Sequence, residues 1–314
     1  MIKQFSEQAS VNNGGTIHFN MKQGFLTDEE RRQARQNLGL TEGGIAYVAG
    51  NGIDIDGDII SVDTGYIATK NDVNTIAAVT NRLDTTSGKK ILAFGDSITE
   101  QAKWFSKLIE LGNFDMIWNR GGSGTLVAGT TTYTMCNRVD MAENNNNNTA
   151  SHLAGLPSNS NVDIVIFWGG TNDFGNYEKQ TAFGETNGEV SKETFCGAYR
   201  YIISKLKAKY PGKPIYACSI MTAQGTTYTG WNRFTLGSNG AYTVRQNNIS
   251  KTMQDYHDAQ KVICDLYGVK FIDMFECGIS PFDATDATNY FIDGLHPNDA
   301  GAEIIANYFY KFMK

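Results

Sequence analysis

The sequence predicts an α/β domain over residues 89–314, a parallel sheet of about five strands with helices on both faces, behind a small appendage over residues 1–88. Three observations predict it. From Lys89 onward short apolar runs alternate with amphipathic stretches, the pattern of a chain that lays down strand, helix and strand in turn. Each apolar run is strand-sized and lacks a polar alternation, as expected when both faces of a parallel sheet are covered. The first 88 residues are polar and broken into short pieces, none able to bury a core alone.

The apolar runs place strands at 90–94, 115–118, 163–168, 214–220 and 269–274. Between them Phe195, Tyr199, Ile202, Ile203 and Leu206 mark one helical stripe, and Ile249, Met253, Tyr256, Ile263 and Leu266 a second. A last helix carries Ile304, Ile305, Tyr308, Phe309 and Phe312. In the appendage, Thr27-Asp28-Glu29-Glu30 reads as a capping box for a helix that ends at Gly39. Ile53-Asp54-Ile55 and Ile59-Ile60-Ser61-Val62 flank Asp56-Gly57, a two-residue hairpin signal. Val73, Ile76, Thr80 and Leu83 have the spacing of a short coiled seam. Pieces of this size are best stabilised by association with copies of themselves or with another protein, so a homo-oligomer is expected.

Composition closes off several classes of function. With a net charge of −6 and no Lys/Arg cluster, the chain lacks the phosphate attraction on which nucleic-acid binding rests. The five cysteines are widely spaced without a C-x-x-C pair, which reads as reduced core residues rather than a disulfide frame or a zinc site. Asp54, Asp56 and Asp58 hint at a calcium loop, but Ile59 stands where its glycine and Gly65 where its bidentate glutamate would be. The N-terminus has no continuous apolar h-region and no 18-residue apolar run occurs, so neither a classical signal peptide nor a membrane span is expected.

In an open parallel sheet, ligands bind beyond the carboxyl ends of the strands, and four such ends carry reactive residue types. The first runs into Gly95-Asp96-Ser97-Ile98-Thr99 and a helix, which sets Ser97 at a strand-to-helix turn. A serine there either caps the helix or offers its hydroxyl at the sheet edge, near an N-terminus that favours negative charge. The second runs into the glycine-rich Asn119-Arg120-Gly121-Gly122-Ser123-Gly124, where backbone amides can approach a ligand. The third runs into Gly169-Gly170-Thr171-Asn172-Asp173, in which Asn172 either forms a turn or donates to an oxyanion. After the fifth comes Asp293-Gly294-Leu295-His296-Pro297. There the carboxylate can hold one imidazole nitrogen and leave the other for a serine, or His296 simply flanks a helix start.

In this order the four segments resemble the consensus blocks of the SGNH/GDSL hydrolase family, from about Lys89 to the C-terminus. Gly95-Asp96-Ser97 is similar to the nucleophile block, Gly124 to the second block, Gly170-x-Asn172-Asp173 to the third, and Asp293-x-x-His296-Pro297 to the last. The resemblance implies a three-layer flavodoxin-like domain that hydrolyses esters through an acyl-enzyme, with Ser97, His296 and Asp293 as catalytic triad. It also implies an oxyanion hole made by the Ser97 N–H, the Gly124 N–H and the Asn172 side chain. Such chemistry needs neither metal nor cofactor. The segment 26–40 and the Gly-x-Gly-Ile pattern near Asn51 resemble the N-terminal parts of bacteriophage tail-fibre and receptor-binding proteins. That implies a trimer, other tail proteins as partners of residues 1–88, and a place on a virion tail or another surface.

The polar, aromatic segment 224–234 is too long for a simple connection and is expected to form a substrate wall, with Tyr228 and Trp231 against a sugar. Tyr228, Trp231 and Phe234, three apart, would equally well pack the loop onto the domain. The expected substrate is an acylated bacterial polysaccharide, with O-acetyl the expected ester. A lipase, arylesterase or thioesterase acting on apolar acyl chains, and a glycan-binding adhesin without activity, are the competing functions.

Overall fold

The computed structural model describes residues 8–11, 17–20, 53–56, 59–62, 86–176, 178–221, 229–280 and 288–314. Contacts divide the chain into two units, Met1–Asn81 and Arg82–Lys314.

In the first unit, β1 (Gln8–Val11), β2 (Ile17–Asn20), β3 (Ile53–Asp56) and β4 (Ile59–Val62) form an antiparallel sheet in the order β1-β2-β4-β3. Asp56 pairs with Ile59, so the residues linking the hairpin are Gly57 and Asp58, one position later than the Asp56-Gly57 turn read from the sequence. Strands β1 and β2, which sequence reasoning missed, do alternate, as Gln8-Ala9-Ser10-Val11 and Ile17-His18-Phe19-Asn20, but over only four residues each, a run too short to stand out from the polar texture around it. The helix read at 27–39 and the seam at 73–83 lie outside the described residues.

The second unit is built on five parallel strands: β5 (Lys90–Gly95), β6 (Met116–Arg120), β7 (Ile164–Trp168), β8 (Ile215–Cys218) and β11 (Lys270–Ile272). Their order, β11-β8-β7-β5-β6, is the doubly wound order of flavodoxin-like sheets, with the switch point beside β5. Strand β6 runs two residues past the expected end, which takes Asn119 and Arg120 out of the glycine loop and into the sheet. Along β5, Ile91 and Ala93 enter one core while Leu92 and Phe94 enter the other, the period-two consequence of a sheet covered on both sides.

One core joins that face to α5 (Phe195–Lys209) and α6 (Met253–Tyr267), the other joins its face to α2 (Phe105–Gly112) and α7 (Asp299–Met313). The α5 stripe is wholly buried, as its spacing predicts. The second stripe needs correcting: Met253, Tyr256 and Ile263 are buried, whereas Ile249 precedes the Thr252 cap and Leu266 faces solvent. In α7 the inner face is Ala302, Ile305, Ala306, Phe309 and Met313, and Phe312 is exposed. A hairpin, β9 (Phe234–Leu236) with β10 (Tyr242–Val244), follows β8 in the chain. All five cysteines are free and buried. No helix among the described residues is long and apolar enough to cross a membrane.

Two buried arginines finish the carboxyl edge of the sheet. On the short helix α3 (Met135–Arg138), Arg138 donates to the carbonyls of Arg120 (2.9 Å), Gly121 (3.2 Å) and Ser151 (3.0 Å), with its guanidinium over the Phe94 ring. Arg120 donates to the carbonyls of Gly155, Asn119 and Asn144. Burial lowers the Arg138 pKa to about 10, so it stays charged at neutral pH, paired with carbonyl dipoles. Losing such a donor leaves several buried acceptors unsatisfied. Arg138→Met should therefore lower the unfolding free energy by about 3 kcal/mol in chemical denaturation, and a change under about 1 kcal/mol would show that water replaces it without cost.

Candidate active site

The turn after β5 decides the role of Ser97. Helix α1 (Ser97–Glu100) is capped by Asp96, whose Oδ1 accepts the Ile98 N–H at 3.0 Å. Capping is thus done by the preceding residue, and Ser97 Oγ stands 2.8 Å from His296 Nε2. The Ser97 N–H is the first of the helix, one of the donors an α-helix leaves unsatisfied.

His296 comes from the turn before α7, and that helix is capped by Asn298, so the histidine is not part of its start. The Ile292 N–H donates to the His296 carbonyl at 2.8 Å, and Phe291 and Pro297 bridge antiparallel, closing a tight loop. Inside it Asp293 Oδ1 accepts the N–H groups of Leu295 (3.0 Å) and His296 (2.8 Å), while Oδ2 is 2.7 Å from His296 Nδ1. Burial would raise the Asp293 carboxyl, but these bonds hold it below the ordinary aspartate range. It is therefore ionised at neutral pH, and fixes the tautomer that presents Nε2 to the serine. A serine, an imidazole and a carboxylate so linked can pass the hydroxyl proton to the ring as the oxygen attacks a carbonyl.

Candidate donors for an oxyanion lie on the neighbouring loops. Gly124, exposed and at φ 68°, finds no acceptor for its N–H among the described residues, and the left-handed backbone there favours glycine. Asn172 lies on the short helix α4 (Thr171–Gly175) after β7, and its Nδ2 donates to the Thr125 carbonyl at 3.0 Å. One amide hydrogen thus anchors Asn172 to the Gly124 loop and leaves the second for a ligand.

Sequence reasoning missed the groups that hold these loops. Asp173 accepts the N–H groups of Val127 (2.8 Å) and Ala128 (3.2 Å), stapling that loop to α4. Glu100 clamps Ser123. Neither has a signal by residue type alone, though Asp173 stands in the recognised Asn-Asp pair. Of the expected substrate residues, Tyr228 lies outside the described residues. Trp231 is half-buried with its ring against Gly175, where an added Cβ would come within 2.3 Å of Trp231 Cγ, and Phe234 is buried at the start of β9. Over the described residues 229–234, Trp231 packs onto the helix that holds Gly175, and the Phe234 ring meets Tyr242 of β10 edge-on. Among the described residues no three His, Cys, Asp or Glu side chains gather as a metal site would require.

Burial pushes the Asp96 carboxyl up to about 6, against the pull of the Ile98 N–H, His296 and the Thr171 hydroxyl. It pushes Asp173 up to about 7 despite two N–H bonds, and the Asp96 charge adds to that rise. As pH rises from the ordinary 3.8, the unfolded Asp173 ionises first while the folded one resists. The folded state therefore loses stability from this group up to about pH 7. Asp173→Asn removes that titration, so the Tm deficit of the variant relative to wild type should be largest at about pH 4 and below, and shrink steadily toward about pH 8. A deficit constant across that range would contradict the assigned shift.

The sequence profile of the GDSL-like lipase/acylhydrolase family matches residues 93–304. No curated protein sequence matches the chain. Solved structures do: one crystal structure is 25% identical and covers 72% of this chain and 95% of its own, with a TM-score of 0.57. A protein from Lactobacillus plantarum is 22% identical over 72% of this chain and 97% of its own, at a TM-score of 0.56. One from Chitinophaga pinensis, described as a possible lipase, is 19% identical over 71% and 97%, at 0.50. With more than half of its length inside the family match, on the five-stranded sheet described above, the chain belongs to the GDSL-like lipase/acylhydrolase family and is by that membership a carboxylic ester hydrolase.

Proposed function

We propose that the second unit is a serine esterase in which Ser97 attacks the ester carbonyl, His296 takes its proton and returns it to the leaving alcohol, and Asp293 holds the ring. The observation that carries this reading is the continuous chain Ser97 Oγ–His296 Nε2 (2.8 Å) and His296 Nδ1–Asp293 Oδ2 (2.7 Å), with capping left to Asp96. The Ser97 and Gly124 N–H groups and the Asn172 amide form the oxyanion hole. Water then cleaves the acyl-serine with the same histidine as base.

The substrate we infer is an O-acyl group, of acetyl size, on a bacterial surface glycan. Support comes from the polar, aromatic segment 224–234, with Trp231 packed on the helix that carries Asn172. The tail-fibre-like texture of residues 1–88 places the enzyme, in this reading, on a phage tail or a comparable surface assembly as a homotrimer. A second reading has one observation in its favour: Ile292, next to Asp293, is 61% exposed and would suit an apolar acyl chain. Preference for acetyl over octanoyl esters separates the two.

Ser97→Ala should lower turnover of p-nitrophenyl acetate at least about a thousandfold with the fold intact, and Asn172→Ala on the order of a hundredfold, because two backbone donors remain. Near-wild-type hydrolysis by Ser97→Ala would end the assignment. Trp231→Ala should slow acetate release from an acetylated polysaccharide by roughly tenfold or more while sparing the small ester. An equal loss on both substrates would assign Trp231 to packing alone. Full-length protein should sediment as a trimer at micromolar concentration; a monomer there would rule out the assembly.

A further inference from the structure

Glu100 ends the helix that Ser97 begins; its N–H donates to the Asp96 carbonyl, while its carboxylate and its carbonyl meet groups of the neighbouring loops. Its Oε2 accepts the Ser123 N–H at 2.8 Å and also the Ser123 hydroxyl. Its Oε1 faces Ser151 Oγ at 3.4 Å and His152 Nδ1 at 3.2 Å. Its carbonyl accepts Asn119 Nδ2 at 3.0 Å, and the Oδ1 of the same asparagine accepts the Gly121 N–H at 2.9 Å. The backbones are in contact as well: a Cβ on Gly121 would lie 2.1 Å from the Glu100 nitrogen, so only glycine admits this approach. Both ends of the 119–123 segment are thereby fixed to the nucleophile turn.

The next residue is Gly124, where an added Cβ would meet nothing within 4 Å. The side of Gly124 where a side chain would stand is therefore open. The Gly124 N–H belongs to the same peptide unit as the Ser123 carbonyl, so its direction follows from how Ser123 is held on one side and from the Thr125 N–H to the Gly122 carbonyl (3.2 Å) on the other. Burial alone would raise the Glu100 carboxyl, but the Ser123 bonds and His152 hold it below the ordinary glutamate range, so the acceptor is ionised at working pH. An exposed ion pair would contribute little; here the carboxylate accepts from a main-chain and a hydroxyl donor on one residue.

We infer that Glu100 is a positioning residue for ester hydrolysis: through Ser123 it aims the Gly124 N–H at the oxyanion formed by attack of Ser97. The inference rests on the reading of Ser97 as nucleophile and Gly124 as oxyanion donor. A misaimed donor weakens the transition state and leaves the ground-state complex nearly untouched, so the loss belongs in kcat rather than KM.

The test is steady-state hydrolysis of p-nitrophenyl acetate by the full-length protein, with thermal unfolding followed in parallel. Glu100→Ala should lower kcat by about ten- to a hundredfold with KM within about threefold of wild type. In Glu100→Gln the amide oxygen still accepts both Ser123 donors, so kcat should return to within about threefold of wild type. Ser123→Ala, which keeps the main-chain bond and removes the hydroxyl, should lose kcat by a few-fold and stands in should Glu100→Ala not fold. A folded Glu100→Ala or Ser123→Ala protein with unchanged kcat, a Glu100→Gln as impaired as Glu100→Ala, or a loss confined to KM would each overturn the inference. Ser97→Ala keeps the two levels apart: if it is inactive while Glu100→Ala is unimpaired, only the positioning role falls, and if it is active, the nucleophile reading falls with it.

Discussion

The bond from the Ile98 N–H to the Asp96 carboxylate, 3.0 Å long, governs how the rest of the site is built. A strand that feeds directly into a helix must cap that helix within one residue, and a serine at the turn would ordinarily supply the oxygen. With Asp96 in the capping position, the hydroxyl of Ser97 is released to hydrogen-bond elsewhere, and the histidine loop meets it at 2.8 Å. The carboxylate that permits this is buried and lifted to about 6, so the arrangement costs desolvation where the chemistry is placed.

The same edge repeats this pattern of polar groups buried to hold loops. Arg138 and Arg120 gather carbonyls that the ends of β5, β6 and the following turns would otherwise leave without donors. Asp173 gathers two amides of the loop beyond Gly124, and Asn172 ties the intervening Thr125 carbonyl to α4. These contacts join the loops after β5, β6 and β7 into one rigid rim. Preorganised donors lower a barrier only if they do not have to move when charge develops, and such a rim meets that condition.

Much of the second unit was legible in its sequence because strands buried on both faces read as unbroken apolar runs and α5 as a periodic stripe. The limits of that reading have physical reasons. Leu266 and Phe312 fit a helical stripe in hydrophobicity yet lie on its outer margin, which spacing alone does not separate from the inner face. Asn119 and Arg120 look like loop residues, but pairing with Ala93 and Phe94 continues the strand through them. The serine, histidine, aspartate and asparagine were legible because four short segments occur in a fixed order after successive strands. Glu100 and Arg138 were not, since the carbonyls that Arg138 gathers and the Ser123, Ser151 and His152 groups that Glu100 holds are brought close only by the fold. In the first unit Asp56-Gly57 announced a hairpin, and the register then moved the link by one residue.

The central claim is that Ser97 carries the acyl group, and covalent trapping addresses it more directly than any rate. Incubation of the full-length protein with a fluorophosphonate ester, followed by peptide mapping, should find one phosphonylated residue, Ser97, with hydrolysis lost in proportion to labelling. The carboxylate and imidazole of Asp293 and His296 should make that labelling fall when either is removed. Labelling at another residue, or hydrolysis that survives complete modification of Ser97, would contradict the account.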